Sequence, residues 1–310
     1  MRYAVKLPQV GTNLNGRDIL RFARGAERLG FDILSVGDHV VFPERITSAY
    51  PYATSGRHPS ESAPNYVEAM TLLSYVAGVT STIKLLTGVI IVPYRHPVLV
   101  AKMIASLDYL TQGRVIFGIG VGWMKEEFDV LGFPYEHRGA LTDEMVEIYK
   151  TLWTRERPAF KGRFFQFDEL RFSPKPVQKP HPPIWIGGNT RVAMRRAARG
   201  AQGWFPVHMS SDEMRPMIQE LRAMTVEAGR KPEEIEVCLG SSLEFADRPV
   251  TPDIARRLFG DGHAQKMVAE LRALADMGVG AVHFDFRTRD VSVRLELMER
   301  FMAEVRPHAP

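Results

Sequence analysis

At 310 residues the chain is longer than an average domain and suits one α/β barrel, read here as a single domain over residues 1–310. Its net charge of +4 is mild and has no basic stripe interleaved with aromatics, so no nucleic-acid partner is expected. No apolar run of about 18 residues exists, so no membrane span is expected either. The start MRYAVKLPQVG reads as a first strand rather than a secretion signal. The single cysteine, Cys238, cannot form an internal disulfide. It lies in the apolar run Ile235 to Leu239 and reads as a buried thiol, which fits a reducing cytoplasm.

Strand-like and helix-like stretches alternate along the chain. Tyr3 to Leu7 reads as a strand, Arg17 to Leu29 as a helix, Phe31 to Gly37 as a second strand and Asn65 to Val79 as a helix. The most informative segment is Ile83 to Trp123. Its first apolar run, Ile83 to Val92, is broken by Thr87-Gly88; its second, Val115 to Val121, carries Gly118 and Gly120. Apolar runs of this kind suit a parallel sheet covered on both faces. Between them a helix opens at Pro97 and is expected to bury Leu99, Val100, Met103, Ile104, Leu107 and Leu110. The small residues at the C-terminal ends of both strands leave room where barrel enzymes place ligands. Leu141 to Trp153 is helical, Ile184 to Gly188 a strand, Val192 to Arg199 a helix, Gly203 to Val207 a strand and Glu213 to Ala228 a helix. Ile235 to Leu243, Ala264 to Met277, Ala281 to Phe286 and Val293 to Glu304 continue the alternation. Eight βα units argue for a TIM (β/α)8 barrel over a doubly wound sheet.

Three stretches interrupt it. Pro43 to Pro64, after the second strand, is too long for a plain connection and reads as an active-site lid. Arg155 to Asp168 reads as an extra hairpin. Ser173 to Pro183, SPKPVQKPHPP, reads as an extended structural strap.

Asp38-His39 follows the second strand directly, which in a barrel puts both side chains at the mouth. A histidine there can donate a hydrogen bond or shuttle a proton near neutral pH, and an adjacent carboxylate can orient it or raise its pKa. The other reading is a helix cap by Asp38 beside a structural His39. No His/Asp/Glu cluster at ligand spacing accompanies the pair, so no metal site is expected. Gly187-Gly188-Asn189-Thr190 joins the fifth strand to a helix. Its glycines let backbone approach a ligand, and the helix N-terminus offers free N–H groups to an anion such as a cofactor phosphate. Arg191 can add charge there, whereas Arg195, Arg196 and Arg199 read as a solvated face. Gly88-Val89 sits where a mid-strand glycine marks a bulge or a close approach. Arg95 and His96 either face the mouth or cap the next helix. Trp123, Glu126, Glu127, His137 and Arg138 lie in and after the loop from the fourth strand, and His137 and Arg138 either meet an anionic or carbonyl substrate or lie on the surface. Tyr50, Tyr52, Tyr94 and Trp123 suggest a partly apolar organic substrate or ordinary packing.

GFDILSVGDHVVFP, the stretch from TGVIIVPYRHP to FPYEHRG, and PPIWIGGNTRVAMRRAARGAQGW together resemble the bacterial luciferase-like superfamily, and within it the deazaflavin (coenzyme F-420)-dependent oxidoreductases. The similarity spans nearly the whole chain. It implies a TIM barrel with a lid inserted after the second strand, usually a homodimer. It also implies a deazaflavin ring across the mouth, backed by a cis non-prolyl peptide at Gly88-Val89. Asp38 and His39 match the pair at the reactive ring edge, and Gly187, Gly188, Asn189 and Thr190 match the phosphate-binding turn. Family members move a hydride between the ring and a substrate. The sugar-phosphate dehydrogenases of this family carry a glutamate where this chain has Trp123, and part of a phosphate-binding basic set where it has His208 and Met209. A sugar phosphate is therefore not the expected substrate, and His208 is read as a pocket residue. An F-420 oxidoreductase acting on a small molecule is the leading expectation. The alternatives are an FMN-dependent luciferase-like monooxygenase, a flavin- or deazaflavin-binding protein without turnover, and a metal-dependent barrel hydrolase.

Overall fold

Strand alternation and helix spacing resolve into one closed sheet. A computed structural model describes residues 1–310 except 54, 62, 64, 248–258 and 287. Along the chain run β1 (Arg2–Lys6), α1 (Gly16–Leu29), β2 (Ile33–Val36), α2 (Ala69–Ala77), β3 (Lys84–Thr87), β4 (Ile90–Ile91), α3 (Pro97–Leu110), β5 (Val115–Gly120), α4 (Lys125–Leu131) and α5 (Arg138–Thr154). The hairpin strands β6 (Phe160–Lys161) and β7 (Gln166–Phe167) follow, then β8 (Ile184–Gly187), α6 (Arg191–Gly200), β9 (Gly203–Phe205), α7 (Ser211–Glu227), β10 (Glu236–Leu243), α8 (Ala264–Asp276), β11 (Val279–Phe286) and α9 (Val291–Arg300). Pairing runs β1–β2–β3–β5–β8–β9–β10–β11 and back to β1, all parallel. That is the expected eight-staved barrel, with β4 continuing the third stave beyond a break. The hairpin stands where it was expected. The proline-rich strap contains cis bonds at Ser173-Pro174 and Lys179-Pro180, and Gln178 ties it to Asp108 and to the Val115 carbonyl.

Local chemistry sets the element ends. The Asn15 side chain accepts the Asp18 N–H at 3.0 Å and starts α1. Gly30, at φ 84°, stops it in the left-handed conformation that glycine adopts without a Cβ penalty. Between them Ile19, Phe22, Ala23 and Ala26 form the buried stripe. Two expectations need correction. α2 begins at Ala69, not Asn65, because the residues before it pair with the segment that follows β1. Tyr66 bridges Val10, the Val67 N–H donates to the Gln9 carbonyl, and Glu68 caps the helix through the Thr71 N–H. On α3, Leu99 and Leu110 are 54% and 77% exposed; the buried stripe is narrower than the run of apolar residues, and Val100, Ile104 and Leu107 fill it.

The room expected beside Gly118 and Gly120 is occupied. The Gly88-Val89 peptide is cis, and the backbone bulges into the space that the glycines leave. A Cβ on Gly118 would run into the Thr87 carbonyl oxygen. At Gly120 and at Gly187 a Cβ would stand 2.8 Å from a Val89 methyl. These glycines therefore seat the bulge rather than leaving a vacancy.

The barrel interior is layered, as inward side chains of parallel strands must be. Arg2 pairs with Glu236 at the N-terminal end. Ala4, Ile33, Leu86, Ile116, Trp185 and Cys238 pack above them. Cys238 is fully buried, and burial pushes its thiol pKa well up, so it is an inert core group. Next comes His283, whose Nε2 lies 2.5 Å from Ser35 Oγ, with its ring against Phe205. Burial lowers the His283 pKa to about 4. The folded protein holds it neutral, while the unfolded chain takes a proton below its ordinary value of 6.5. This contribution to stability is complete above pH 6.5 and is lost as pH falls toward 4, by about 3 kcal/mol in total.

Two measurements check this packing. Urea unfolding of wild type and His283→Asn between pH 7 and 4 is expected to show a steeper loss in wild type; equal slopes would refute the assignment. Gly118→Ala is expected to cost about 3 kcal/mol in the same assay, because backbone rather than a mobile side chain blocks the new methyl. A change below about 0.5 kcal/mol would show that the bulge yields.

Candidate active site

The site is built on the loop that leaves β2. Gln9, almost fully buried, accepts the Gly37 N–H through Oε1 at 2.9 Å and donates through Nε2 to the carbonyls of Gly37 and Val67. One amide therefore fixes both the exit of β2 and the segment carrying Tyr66. The Asp38 carboxylate then turns inward. Arg95 donates to it through both terminal nitrogens at 2.7 and 2.8 Å, and the Ile91 N–H adds a third bond at 2.9 Å. Arg95 also bonds Glu68 at 2.8 Å. Burial works against the Arg95 charge, but the two carboxylates outweigh it and raise its pKa. Asp38 is thus neither a helix cap nor the orienter of His39. It is the anchor of β2 to the β4 segment.

The residue that orients His39 is Glu127. Its Oε2 lies 2.7 Å from His39 Nδ1, and its Oε1 accepts the N–H groups of Val40 and Val41 at 2.6 and 3.2 Å. The Glu127 side chain is fully buried and that of His39 nearly so. A buried carboxylate on Nδ1 fixes the ring and its tautomer. His39 Nε2 has no hydrogen-bond partner among the described residues. Sequence reasoning named Glu127 but left its role open; the two partners stand 88 positions apart, and no local pattern links them.

Aromatic rings cover this histidine. His39 meets Phe42 at 4.5 Å, His58 at 4.8 Å, Tyr66 at 5.7 Å and Trp123 at 6.1 Å between ring centroids. Tyr50 packs edge-on against His58 and Trp123. Tyr50, Tyr52 and His58 come from the stretch read as a lid, and Phe42 from the residue just before it; Thr54, Ser62 and Pro64 of that stretch lie outside the described residues. Glu126, beside Glu127 on α4, holds the lid's near end: it accepts from the N–H and hydroxyl of Thr47 and from the Ser48 N–H. Burial alone would raise the Glu126 pKa; these bonds outweigh it and bring it down to about 2.

At the far side of the mouth, the Gly187–Thr190 turn meets the lid. Thr190 caps α6 through the Ala193 N–H, Asn189 is locked by paired bonds to Val207, and the Asn189 N–H is directed at the Tyr52 hydroxyl. Gly188, at φ 118°, needs the absence of a side chain. Arg191 points away, largely exposed and paired with Glu220. Other expected pocket residues lie elsewhere. Tyr94 is buried against Phe128, its hydroxyl beside Glu127 rather than open to a ligand. Arg138 braces its own loop, bonding the Gly122 and Tyr135 carbonyls. His137 packs on Phe164, and His96 caps α3. His208, by contrast, stays at the mouth, three residues past β9, where its backbone N–H donates to the Gly240 carbonyl of β10. Among the described residues there is no cluster of three or more potential metal ligands, and no helix is long and apolar enough to cross a membrane.

The family model for luciferase-like monooxygenases matches residues 4–283. The chain belongs to that family. An uncharacterized protein of Mycobacterium tuberculosis is 32% identical over 216 residues, covering 69% of this chain and 74% of that protein. The FMNH2-dependent dimethylsulfone monooxygenase of Pseudomonas putida is 29% identical over 212 residues, covering 67% of this chain and 53% of that enzyme. Among solved structures, an F420-dependent secondary alcohol dehydrogenase in complex with an F420-acetone adduct superposes with a TM-score of 0.77 at 18% identity, covering 100% of this chain and 99% of that one. The luciferase-like barrel, with its lid after the second strand, is thus the fold of this protein.

The Asp38–Arg95 pair gives a direct test of the site's foundation. Arg95→Met leaves a buried carboxylate unpaired and is expected to cost about 4 kcal/mol in urea unfolding, whereas the double variant Asp38→Asn/Arg95→Met recovers part of that loss. Strict additivity of the two single changes would show that the pair is not a unit.

Proposed function

We propose that this protein is an oxidoreductase that moves a hydride between coenzyme F-420 and a small organic substrate, with His39 as proton donor or hydrogen bonder. The supporting observation is the histidine itself: Nδ1 is held by a buried carboxylate, while Nε2 is left without a partner among the described residues at the barrel mouth. The residues fit a planar ring carrying a phosphate-bearing arm. Val89, packed on Gly120 and Gly187, gives the ring an apolar bed. The Gly187–Thr190 turn at the start of α6 offers backbone N–H groups to the phosphate, and the Asn189 N–H now directed at Tyr52 is one that a phosphate oxygen would take instead. Bound there, the deazaflavin would supply a carbon that gives or accepts a hydride. The rings of Trp123, Tyr50 and His58 packed about His39 would exclude water from the site, and His39 would hold or deliver the proton at Nε2. A homodimer and a cytoplasmic location complete this reading.

The second reading, an FMN-dependent monooxygenase, draws support from the Pseudomonas putida relative. Binding without turnover is the third.

Titrating the protein with F-420 and, separately, FMN, followed by tryptophan fluorescence or calorimetry, is expected to show selective binding of F-420. His39→Ala is then expected to lower turnover about 100-fold or more while leaving F-420 affinity within a few-fold. Selective binding of FMN would replace the proposal with the monooxygenase. Unchanged turnover in His39→Ala would remove the histidine from the chemistry.

A further inference from the structure

The two sides of the barrel mouth differ in chemistry. On the β3–β5–β8 side the Val89 bulge fills the space. On the β1–β10–β11 side the last inward residues of the staves are polar. Inward and outward positions alternate along a strand. Ala4 and Cys238 belong to the interior cluster and Val5 and Leu243 to the outer core, so Lys6 and Ser242 face inward, as does Asp285 two positions after His283. Ser242 stands beside Asp285 in the β10–β11 register. Lys6 Nζ lies 3.0 Å from Asp285 Oδ2, each side chain 27% exposed. The Tyr66 hydroxyl and Lys6 Cε both lie over Gly37, at 2.9 and 3.8 Å from where its Cβ would stand. The Tyr66 ring is perpendicular to that of His39.

One atom in this group has no structural partner. Ser242 Oγ is buried, in a residue 1% exposed, and makes no hydrogen bond among the described residues. A buried hydroxyl without a bond costs about 1–3 kcal/mol, so it calls for an occupant that supplies one. Burial raises the Tyr66 pKa far above its usual value, and the nearby Asp38, Glu127 and Asp285 carboxylates raise it further. The phenol therefore stays protonated and donates.

We propose that Lys6, Asp285, Ser242 and Tyr66 form a polar subsite beneath His39 that recognises a neutral carbonyl or hydroxyl group. Charge sets the class. The charges of three carboxylates, Asp38, Glu127 and Asp285, reach the Tyr66 hydroxyl, and Asp285 and Asp38 are paired with the cations Lys6 and Arg95, which leaves Glu127 as the excess charge. An added anion meets net negative charge, and an added cation meets the Lys6 ammonium. A neutral oxygen accepts from Tyr66 and Lys6, and bonds Ser242 in either sense. This deepens the function proposed above and rests on the mouth being where ligands bind. The recognised group belongs to the substrate or to the carbonyl edge of the cofactor ring.

The test is a ligand-observed NMR titration of the protein with cyclohexanol, cyclohexanone, cyclohexanecarboxylate and cyclohexylammonium. It is repeated on Ser242→Ala and Tyr66→Phe, with F-420 and FMN affinities measured alongside. The two neutral probes are expected to bind more tightly than both ions. Each substitution is expected to weaken either the neutral probes or the cofactor about 5- to 10-fold. Loss of the probes assigns the subsite to the substrate, and loss of the cofactor assigns it to the ring edge. Ser242→Ala is expected to unfold at the same or a higher urea concentration, because it removes an unpaired buried hydroxyl; a hydroxyl with a structural role would instead cost stability. The proposal is overturned if an ion binds as tightly as the neutral probes, if the neutral probes do not bind, or if both substitutions leave every affinity unchanged. If F-420 fails to bind while cyclohexanol affinity still depends on Ser242, the cofactor assignment fails and the subsite stands.

Discussion

A buried carboxylate with its hydrogen-bonding capacity spent holds the mouth of this barrel together. Asp38 takes two bonds from Arg95 and one from the Ile91 N–H, and so joins the exit of β2 to the far end of the broken third stave. Removing two charges from water is costly, and such pairs seldom add stability relative to apolar residues of the same size. What this pair does contribute is position. With Asp38 pinned, the next residue leaves the strand in one direction only, and His39 is delivered to Glu127. Arg95 extends the constraint to Glu68, the cap of α2. A single cation therefore ties the start of α2, the end of β2 and the start of the α3 region into one rigid rim.

The rim surrounds a mouth with unlike halves. The β3–β5–β8 half is filled by backbone and by the Val89 methyls, and the glycines at 118, 120 and 187 exist to admit them. Such a surface offers shape and apolar contact but no hydrogen bonds, which suits the face of a flat aromatic ring. The β1–β10–β11 half carries Lys6, Asp285 and Ser242, with His283 held neutral below. A ligand with one apolar face and one polar edge has a single orientation in such a mouth.

What the sequence disclosed and what it hid follow from range. Alternation of apolar runs with helical periods is local, so the eight βα units were legible, as was the break at Thr87-Gly88. Asp38-His39 was legible as a mouth pair because position after a strand is itself a local fact. The partners of these two residues were not. Arg95 is 57 positions from Asp38 and Glu127 is 88 from His39, and Glu126-Glu127 near a helix start resembles an ordinary acidic first turn. Gln9 and Tyr66 were missed as site residues, since a glutamine after a strand and a tyrosine in an expected first helical turn carry no signal until the barrel closes around them. The glycines misled in an instructive way: small residues do announce a close approach, but here the approaching group is the protein's own backbone.

The adjacent glutamates of α4 join the lid to the histidine without making them one body. Glu127 holds residues 39–41 from inside, wholly buried. Glu126 holds Thr47 and Ser48 at a half-exposed position. Bonds that water can replace are the weaker ones, so the segment is fixed firmly at His39 and more loosely at Thr47. Beyond Ser48 the lid makes ring contacts, meets the Gly187–Thr190 turn through Tyr52, and takes a long bond from Arg289 to the exposed Pro59 carbonyl. The orientation of His39 therefore depends on Glu127 and not on the contacts that the lid makes farther along.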